Sequence, residues 1–273
     1  MVVERLRAYI LAGILLFSAI LLANLAINSV ANDHYVAQAG STFTSIQAAI
    51  DAASPGDTIY VENGTYYENL YINKTISLVG NGSAEVIGAV NQPTVLIEAD
   101  FVNLTNLDIL SRNFTGQEAV IIRHCDYVNI SYCQVRDWNP SGYALYLWNS
   151  SHSTVFDTDI YKNGSYGAGL YTAQPVGNLS VTKCNIEING TYAIGLYLNS
   201  IWDHVGHNTV LTREFSDAVD SYSYGIYSHR GHNSTFFLNL ILTQGKRSHG
   251  IYLNDVRDSE SVGNRIQTYG YGA

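Results

Sequence analysis

Gly169-Leu170-Tyr171, Gly195-Leu196-Tyr197, Gly225-Ile226-Tyr227 and Gly250-Ile251-Tyr252 recur at nearly constant spacing. Upstream the same triplet reads Ala144-Leu145-Tyr146, Val120-Ile121-Ile122 and Val95-Leu96-Ile97, so that successive third positions lie 24 to 30 residues apart. A second motif follows each copy at 12 to 15 residues: Leu107-Asp108-Ile109, Cys133-Gln134-Val135, Thr158-Asp159-Ile160, Cys184-Asn185-Ile186, Asn208-Thr209-Val210, Asn239-Leu240-Ile241 and Asn264-Arg265-Ile266. Short apolar runs broken by Gly and Asn turns, with no helical pattern between them, exclude an alternating strand–helix array. A coil of roughly 25 residues closes as one rung of a parallel β-helix. One rung cannot bury its apolar face alone, so the rungs must stack. The expected fold is all-β: a right-handed, single-stranded parallel β-helix.

Alternation assigns the faces. In Leu145-Tyr146-Leu147 the leucines point inward and the tyrosine outward. In the second motif the final aliphatic points inward, as does the residue two before it: Cys133, Thr158, Cys184, Asn208, Asn239 and Asn264. Asparagines stacked at about 4.8 Å can hydrogen-bond along the axis, which is a structural role. Cys133 and Cys184 fall two rungs apart, roughly 9.6 Å, too far for a disulfide, and are expected to be buried thiols.

The chain ends read differently from its middle. Glu4, Arg5 and Arg7 precede an apolar run from Ala8 to Ala23 that continues to Ile27, and Ser29-Val30-Ala31 offers small residues for cleavage. Residues 1–31 are therefore an export signal or, since the run approaches a bilayer span, a membrane anchor. Both place the remainder outside the cytoplasmic membrane, secreted or anchored at the cell surface, with membrane contact only through this segment. Residues 32–57 are expected to cap the first rung. Phe43, Ile46, Ile50 and Ala53 fall on one helical face, Thr44 and Gln47 have capping-box spacing, and Pro55-Gly56-Asp57 ends the helix. Residues 58–273 are expected to be solenoid. Thr268 to Ala273 reads as the start of a further rung, the mark of a longer protein.

Composition removes other classes. Only 14% of the 273 residues are charged while 47% are hydrophobic, and mean hydropathy is +0.01, which excludes a disordered acidic chain. The net charge of −9 and the absence of a basic cluster exclude nucleic acid as a partner. N-x-S/T begins at Asn63, Asn73, Asn81, Asn103, Asn113, Asn129, Asn149, Asn163, Asn178, Asn189 and Asn233. That is 11 sequons where the Ser and Thr content predicts about 4, so a glycosylated surface protein is expected.

Phe43-Thr44-Ser45-Ile46-Gln47-Ala48-Ala49-Ile50-Asp51-Ala52-Ala53, Gly56-Asp57-Thr58-Ile59-Tyr60-Val61, Gly64-Thr65-Tyr66-Tyr67-Glu68 and Ile76-Ser77-Leu78-Val79-Gly80 resemble the opening of the pectin-lyase-like superfamily. Pectin methylesterases, the β-helix protein of the nitrous-oxide-reductase copper system and many archaeal surface proteins belong to it. The resemblance runs from about Tyr35 to the end and implies the fold. It does not carry the methylesterase activity, because neither of the motifs that hold the two catalytic aspartates, Q-D-T and D-F-x-F-G, is present. Gln117-Glu118-Ala119-Val120 is a faint echo of their glutamine motif.

Candidate sites are few. Tyr146, Tyr171, Tyr197, Tyr227 and Tyr252 form one outward column over five rungs, and rows of aromatics suit sugar faces or cover a sheet. For catalysis the weak candidates are Glu214, Asp217 and Asp220, in the insertion of the longest rung, placed to overhang a groove. Asp157 and Asp159 point the same way on one strand but face no acids on the next rung. Asp255, Arg257 and Asp258 approximate a calcium-and-base cluster of lyase type. His204-x-x-His207 and His229-x-x-His232 have metal-like spacing on a helix but split across a strand, and Met1 is the sole methionine. No metal or cofactor is expected. The expected role is an exported surface module that contacts polysaccharide or glycan, adhesive and non-catalytic. The alternatives are a polysaccharide lyase or glycoside hydrolase and a structural envelope component.

Overall fold

A computed structural model describes residues 31–89, 91–112, 118–173, 176–214 and 222–270. The expected leader up to Val30, the sequon at Asn113, and Asp217 and Asp220 lie outside these residues. The chain winds about nine times into a solenoid walled by three parallel sheets of 10, 8 and 9 strands. One turn illustrates the path: Val120–Arg123 in the eight-stranded sheet, Asn129–Ser131 in the ten-stranded sheet, Gln134–Asp137 in the nine-stranded sheet.

The tandem pattern shows two strands per rung, and the structure adds a third. Strands such as Asn103–Thr105, Thr154–Phe156 and Ser180–Thr182 are three residues long. Each buries one apolar side chain, for example Leu104, Val155 and Val181. One inward residue cannot produce a visible alternation, which is why the ten-stranded sheet escapes a periodicity search.

Register corrects the alignment of the first two triplets by one residue. Leu96 pairs with Ile121 and Ile121 with Tyr146, while Ile97, Ile122 and Leu147 share the inward column. A slip of one residue would turn Ile97 and Ile122 out to solvent, and burial of the apolar face forbids it. The inward column Val95, Val120, Leu145, Leu170, Leu196 and Ile226 is fully buried. Each such side chain stabilises the stack by about 1.5–3 kcal/mol relative to exposure.

The helix that covers the first rung spans Ile46–Ala52, so Phe43 and Ala53 of the expected helical face lie just outside it. Its cap is Ser45, whose Oγ accepts from the Ala48 N–H at 3.2 Å, and not Thr44. The Glu68 carboxylate accepts from the Ile46 and Gln47 N–H groups at 3.0 and 2.9 Å, so a later rung satisfies donors the helix cannot. At the other end Lys74 Nζ donates to the carbonyls of Ile50, Asp51 and Ala53, where a cation also complements the helix dipole. Ile46, Ala49, Ile50 and Ala53 are buried and Phe43 is partly so.

The asparagine stack forms as expected, at the turn between the ten- and nine-stranded sheets. Asn208 Nδ2 donates to Asn239 Oδ1 at 3.0 Å and to the Val181 carbonyl at 2.9 Å. Asn239 Nδ2 donates to Asn264 Oδ1 at 2.9 Å and to the Val205 carbonyl at 3.0 Å. The Oδ1 atoms in turn accept backbone N–H groups from the preceding rung, Cys184 on Asn208 and Asn208 on Asn239. Cys133 and Cys184 occupy the same column as free thiols. Burial pushes Cys133 up to about 11 and Cys184 up to about 12, so both remain unreactive protonated thiols.

Candidate functional site

The outer face of the eight-stranded sheet carries the tyrosine column in register: Tyr146, Tyr171, Tyr197, Tyr227 and Tyr252 are successive cross-strand partners. Tyr71, Leu96 and Ile121 occupy the same line on the preceding rungs. Ring centroids are 5.7, 4.6, 4.8 and 5.3 Å apart from Tyr146 to Tyr252. A second line joins it, with Tyr143 4.1 Å from Tyr171 and Tyr224 5.2 Å from Tyr227.

The stacking alters what the column offers. Tyr171 and Tyr197 lie within 17° of parallel, and Tyr227 and Tyr252 within 11°. Neighbouring rings in these pairs cover one another's faces, leaving edges and hydroxyls for a partner. Burial, followed by neighbouring phenols, pushes Tyr197 up to about 12 and raises Tyr143, Tyr146 and Tyr224 above the ordinary phenol value. A phenol acting as base needs its pKa lowered toward neutrality. These are neutral hydrogen-bonding groups. At the N-terminal end of the line a cleft of about 330 Å³ is lined by Tyr71, Leu96, Ile121 and Arg123. There Tyr71 Oη donates to Glu98 Oε2 at 2.8 Å, and Arg123 binds the other oxygen, which together hold the Glu98 carboxyl below its usual range.

The acidic candidates are redistributed. Glu214 does not overhang a groove: it is only 8% exposed, because it continues the inward side of Thr209–Arg213. Asp157 and Asp159 do not share a strand. Asp157 sits at a corner with φ 45°, and Asp159 begins the next strand. Asp255 pairs loosely with Arg230 at 3.9 Å and not with Arg257, whose N–H donates to His232 Nδ1. His204 and His207 both lie against the Phe237 ring, at 4.4 and 5.1 Å. Among the described residues no group of three or more His, Cys, Asp and Glu could hold a metal ion. No helix among them is long and apolar enough to cross a membrane.

Facing carboxylates, invisible in the sequence, do occur on adjacent rungs. Glu85 pairs in register with Asp108, and Arg136 clamps both. Asp100 and Asp126 stack beside a cleft of about 350 Å³ with His124 and Asn149. Each of these aspartates accepts the N–H of the following rung, Asp126 on Asp100 at 2.7 Å and Ser151 on Asp126 at 2.6 Å. They are 26 residues apart, and only the register of the coil brings them together. Of the sequon asparagines, Asn63, Asn73, Asn81, Asn149 and Asn178 are exposed, and Asn103, Asn129, Asn163 and Asn233 are half-buried. Asn189 is buried, its amide donating to Tyr161 Oη and Glu187, so the folded chain does not present it as an acceptor.

Comparison with known proteins agrees with this geometry. The family model described as "Right handed beta helix region" matches residues 57–239 and 118–273. A cell surface glycoprotein of Methanothermus fervidus is 32% identical over 109 residues, 38% of this chain and 18% of that protein. The chain thus matches less than a fifth of that relative's length. Among solved structures, a pectate lyase superposes with a TM-score of 0.54 at 15% identity, covering 90% of this chain and 79% of its own. A pectin methylesterase in complex with a hexasaccharide gives 0.53 at 14% identity, covering 83% and 82%. At such identities the likeness establishes the fold.

Proposed function

We propose, from the premise that this chain belongs to the right-handed β-helix family and has the pectin-lyase-like fold, that it is a surface or extracellular module whose tyrosine face contacts glycan without catalysis. The observation that carries this reading is the in-register column of five tyrosines, joined by Tyr143 and Tyr224. Five rungs span about 19 Å between end rings, the length of several sugar units. Rings held by their neighbours lose little side-chain entropy when a ligand binds. The raised phenol pKa values of Tyr143, Tyr146, Tyr197 and Tyr224 keep those four hydroxyls neutral, suited to hydroxyl-rich partners. The net charge of −9 disfavours strongly acidic ones. The cell surface glycoprotein relative supports the location.

Because stacked rings offer hydroxyls more than faces, Tyr197→Phe should weaken glycan binding nearly as much as Tyr197→Ala, each by about 1 kcal/mol. A glycan array followed by calorimetry on the wild type and both variants reads this. Full binding by Tyr197→Phe alongside loss in Tyr197→Ala would return the contact to the ring. Absence of any glycan ligand would leave the column as sheet covering.

The rival reading, a polysaccharide lyase or hydrolase, draws on Asp100 and Asp126. Stacked at about 4.8 Å, they approach the separation of a retaining glycosidase pair, about 5–5.5 Å. Each, however, has one oxygen committed to a backbone N–H. A polysaccharide panel read by reducing ends and unsaturated-uronate absorbance should show no turnover. Activity lost in Asp100→Asn or Asp126→Asn would establish the enzyme.

A further inference from the structure

Midway along the solenoid, at the end of the nine-stranded sheet, a lysine and an aspartate are sealed inside the coil. Asp137 and Lys162 are cross-strand partners in Gln134–Asp137 and Asp159–Asn163, and both are 0% exposed. Lys162 Nζ lies 3.2 Å from Asp137 Oδ2. Oδ2 nevertheless makes no hydrogen bond, so the amine approaches the carboxyl from a direction that does not suit one. The lysine stem passes close to Gly167, where a Cβ would come within 2.8 Å of Lys162 Cε.

The other carboxyl oxygen is held differently. The Asn139 backbone N–H donates to Asp137 Oδ1 at 3.0 Å, and the Asn139 side-chain amide donates to it as well. That amide is fixed in turn by Ser111 Oγ at 2.9 Å. Lys162 Nζ donates to the Asn139 carbonyl, so one residue orients both partners. Two N–H donors on one carboxyl oxygen, with an amine beside the other, is an arrangement that stabilises the oxyanion of acyl transfer. Burial pushes the Asp137 carboxyl up to about 6 and the Lys162 ammonium down, each against the attraction of its partner. Both shifts favour a neutral acid beside a free amine.

We infer that Lys162 and Asp137 condense in the folded chain to an isopeptide bond that ties adjacent rungs together. Lys162 Nζ, as the free amine, adds to Asp137 Cγ while Oδ1 takes the developing charge under the two Asn139 donors. The Nζ–Cγ bond forms, the Cγ–Oδ2 bond breaks, and Oδ2 leaves as water. Of the three hydrogens on the lysine ammonium of the ion pair, one stays on the new amide and two leave with Oδ2, so no oxidant or other reactant is needed. Register holds the two groups together, which replaces a bimolecular encounter. The sealed site favours the product, since a neutral amide relieves the desolvation of two buried charges. The amide also disposes of the unpaired Oδ2, keeps both donors on Oδ1 and leaves an N–H beside the Asn139 carbonyl.

The test reads the mass of the full chain, made without glycans. After folding, intact mass spectrometry in denaturant should find the wild type lighter than its sequence by one water. Digestion should yield a branched peptide joining the Asp137 and Lys162 segments, and trypsin should no longer cut after Lys162. Lys162→Met, which keeps the stem and removes the nucleophile, should retain the full mass, as should Asp137→Ala. Asn139→Ala strips one donor from Oδ1 and should slow the loss of water after refolding by roughly tenfold or more. A wild type that melts cooperatively yet keeps its full mass and releases the two peptides separately overturns the inference. So does a loss of water that persists in Lys162→Met. Loss of ammonia in place of water would put the Asn139 amide in the role of Asp137 and overturns it equally.

Discussion

Two corners of this solenoid bury polar side chains in stacked columns and treat them oppositely. Between the ten- and nine-stranded sheets, both ends of the Asn208 and Asn239 amides are paired. Between the nine-stranded and tyrosine sheets, Thr212, Glu214, Ser223, Thr243 and Ser248 each leave an oxygen unpaired. The chemistry of the groups explains the contrast. An amide carries donors and an acceptor at the end of a side chain long enough to reach the next rung, so a column of amides closes on itself. At the other corner the carboxylate brings no donor, and the short hydroxyls of Thr212, Thr243, Ser223 and Ser248 make no bond to one another. Closed buried polarity holds the rungs in register; open buried polarity leaves each unpaired oxygen with its desolvation cost.

The largest effect expected is from opening the closed corner. Asn239→Ala strands the Asn208 N–H and the Val205 carbonyl, each about 1–3 kcal/mol when buried and unpaired, while Asn264 Oδ1 keeps the Asn239 backbone N–H. A total near 3 kcal/mol or more lowers the melting temperature of a domain this size by roughly 10 °C. Calorimetry showing a loss under about 1 kcal/mol would mean that the asparagine corner is no more closed than the other.

An intermediate case lies at the third corner, where Asp203, Ser234 and Ser259 stack. There Asp203 accepts from Ser200 and the Leu179 N–H, while its own N–H donates to Ser234 Oγ at 3.1 Å. Burial pushes its carboxyl up to about 7 against those hydrogen bonds. With a folded pKa above the unfolded value of about 3.9, the folded state binds the extra proton. Stability should therefore fall as pH rises from about 4 through 7. Asp137, raised to about 6 by burial against the opposing Lys162, adds to the same slope while its carboxyl is free. Asp203→Asn should flatten the slope and stabilise the chain above pH 7 by about 1–3 kcal/mol. Thermal melts from pH 4 to 8 decide it: an unchanged slope would place this corner with the closed asparagine stack.

The smallest effect belongs to the outer face. Tyr171→Phe keeps the ring contact with Tyr197 and should alter stability by less than about 0.5 kcal/mol, as for a surface change. A sharp fall in melting temperature would move the tyrosine column from binding surface to packing surface.

Much of this was legible in the chain. The repeat names the rung, and Ile160, Ile186 and Val210 announce the nine-stranded sheet by alternation. The Asn208, Asn239 and Asn264 column could be read because its spacing equals that of the strands beside it. Glu214 could not be read as buried, since a residue at a strand end faces in or out according to where the turn begins. Nor could Asp100 with Asp126, which lie outside the repeated motif, or Glu85 with Asp108, because Glu85 precedes the first motif copy at Leu107-Asp108-Ile109.

By itself the sequence determined a stack of parallel rungs, the inward aliphatic columns and the outward tyrosines, all of which follow from side-chain alternation repeated at a fixed period. Only the tertiary structure decided the register of the first two triplets, the three-residue strands of the ten-stranded sheet and the unpaired oxygens at the Glu214 corner. The reason is that these depend on contacts between residues a full turn apart. Local pattern constrains such contacts only to within a residue, and one residue in a strand is the difference between core and solvent.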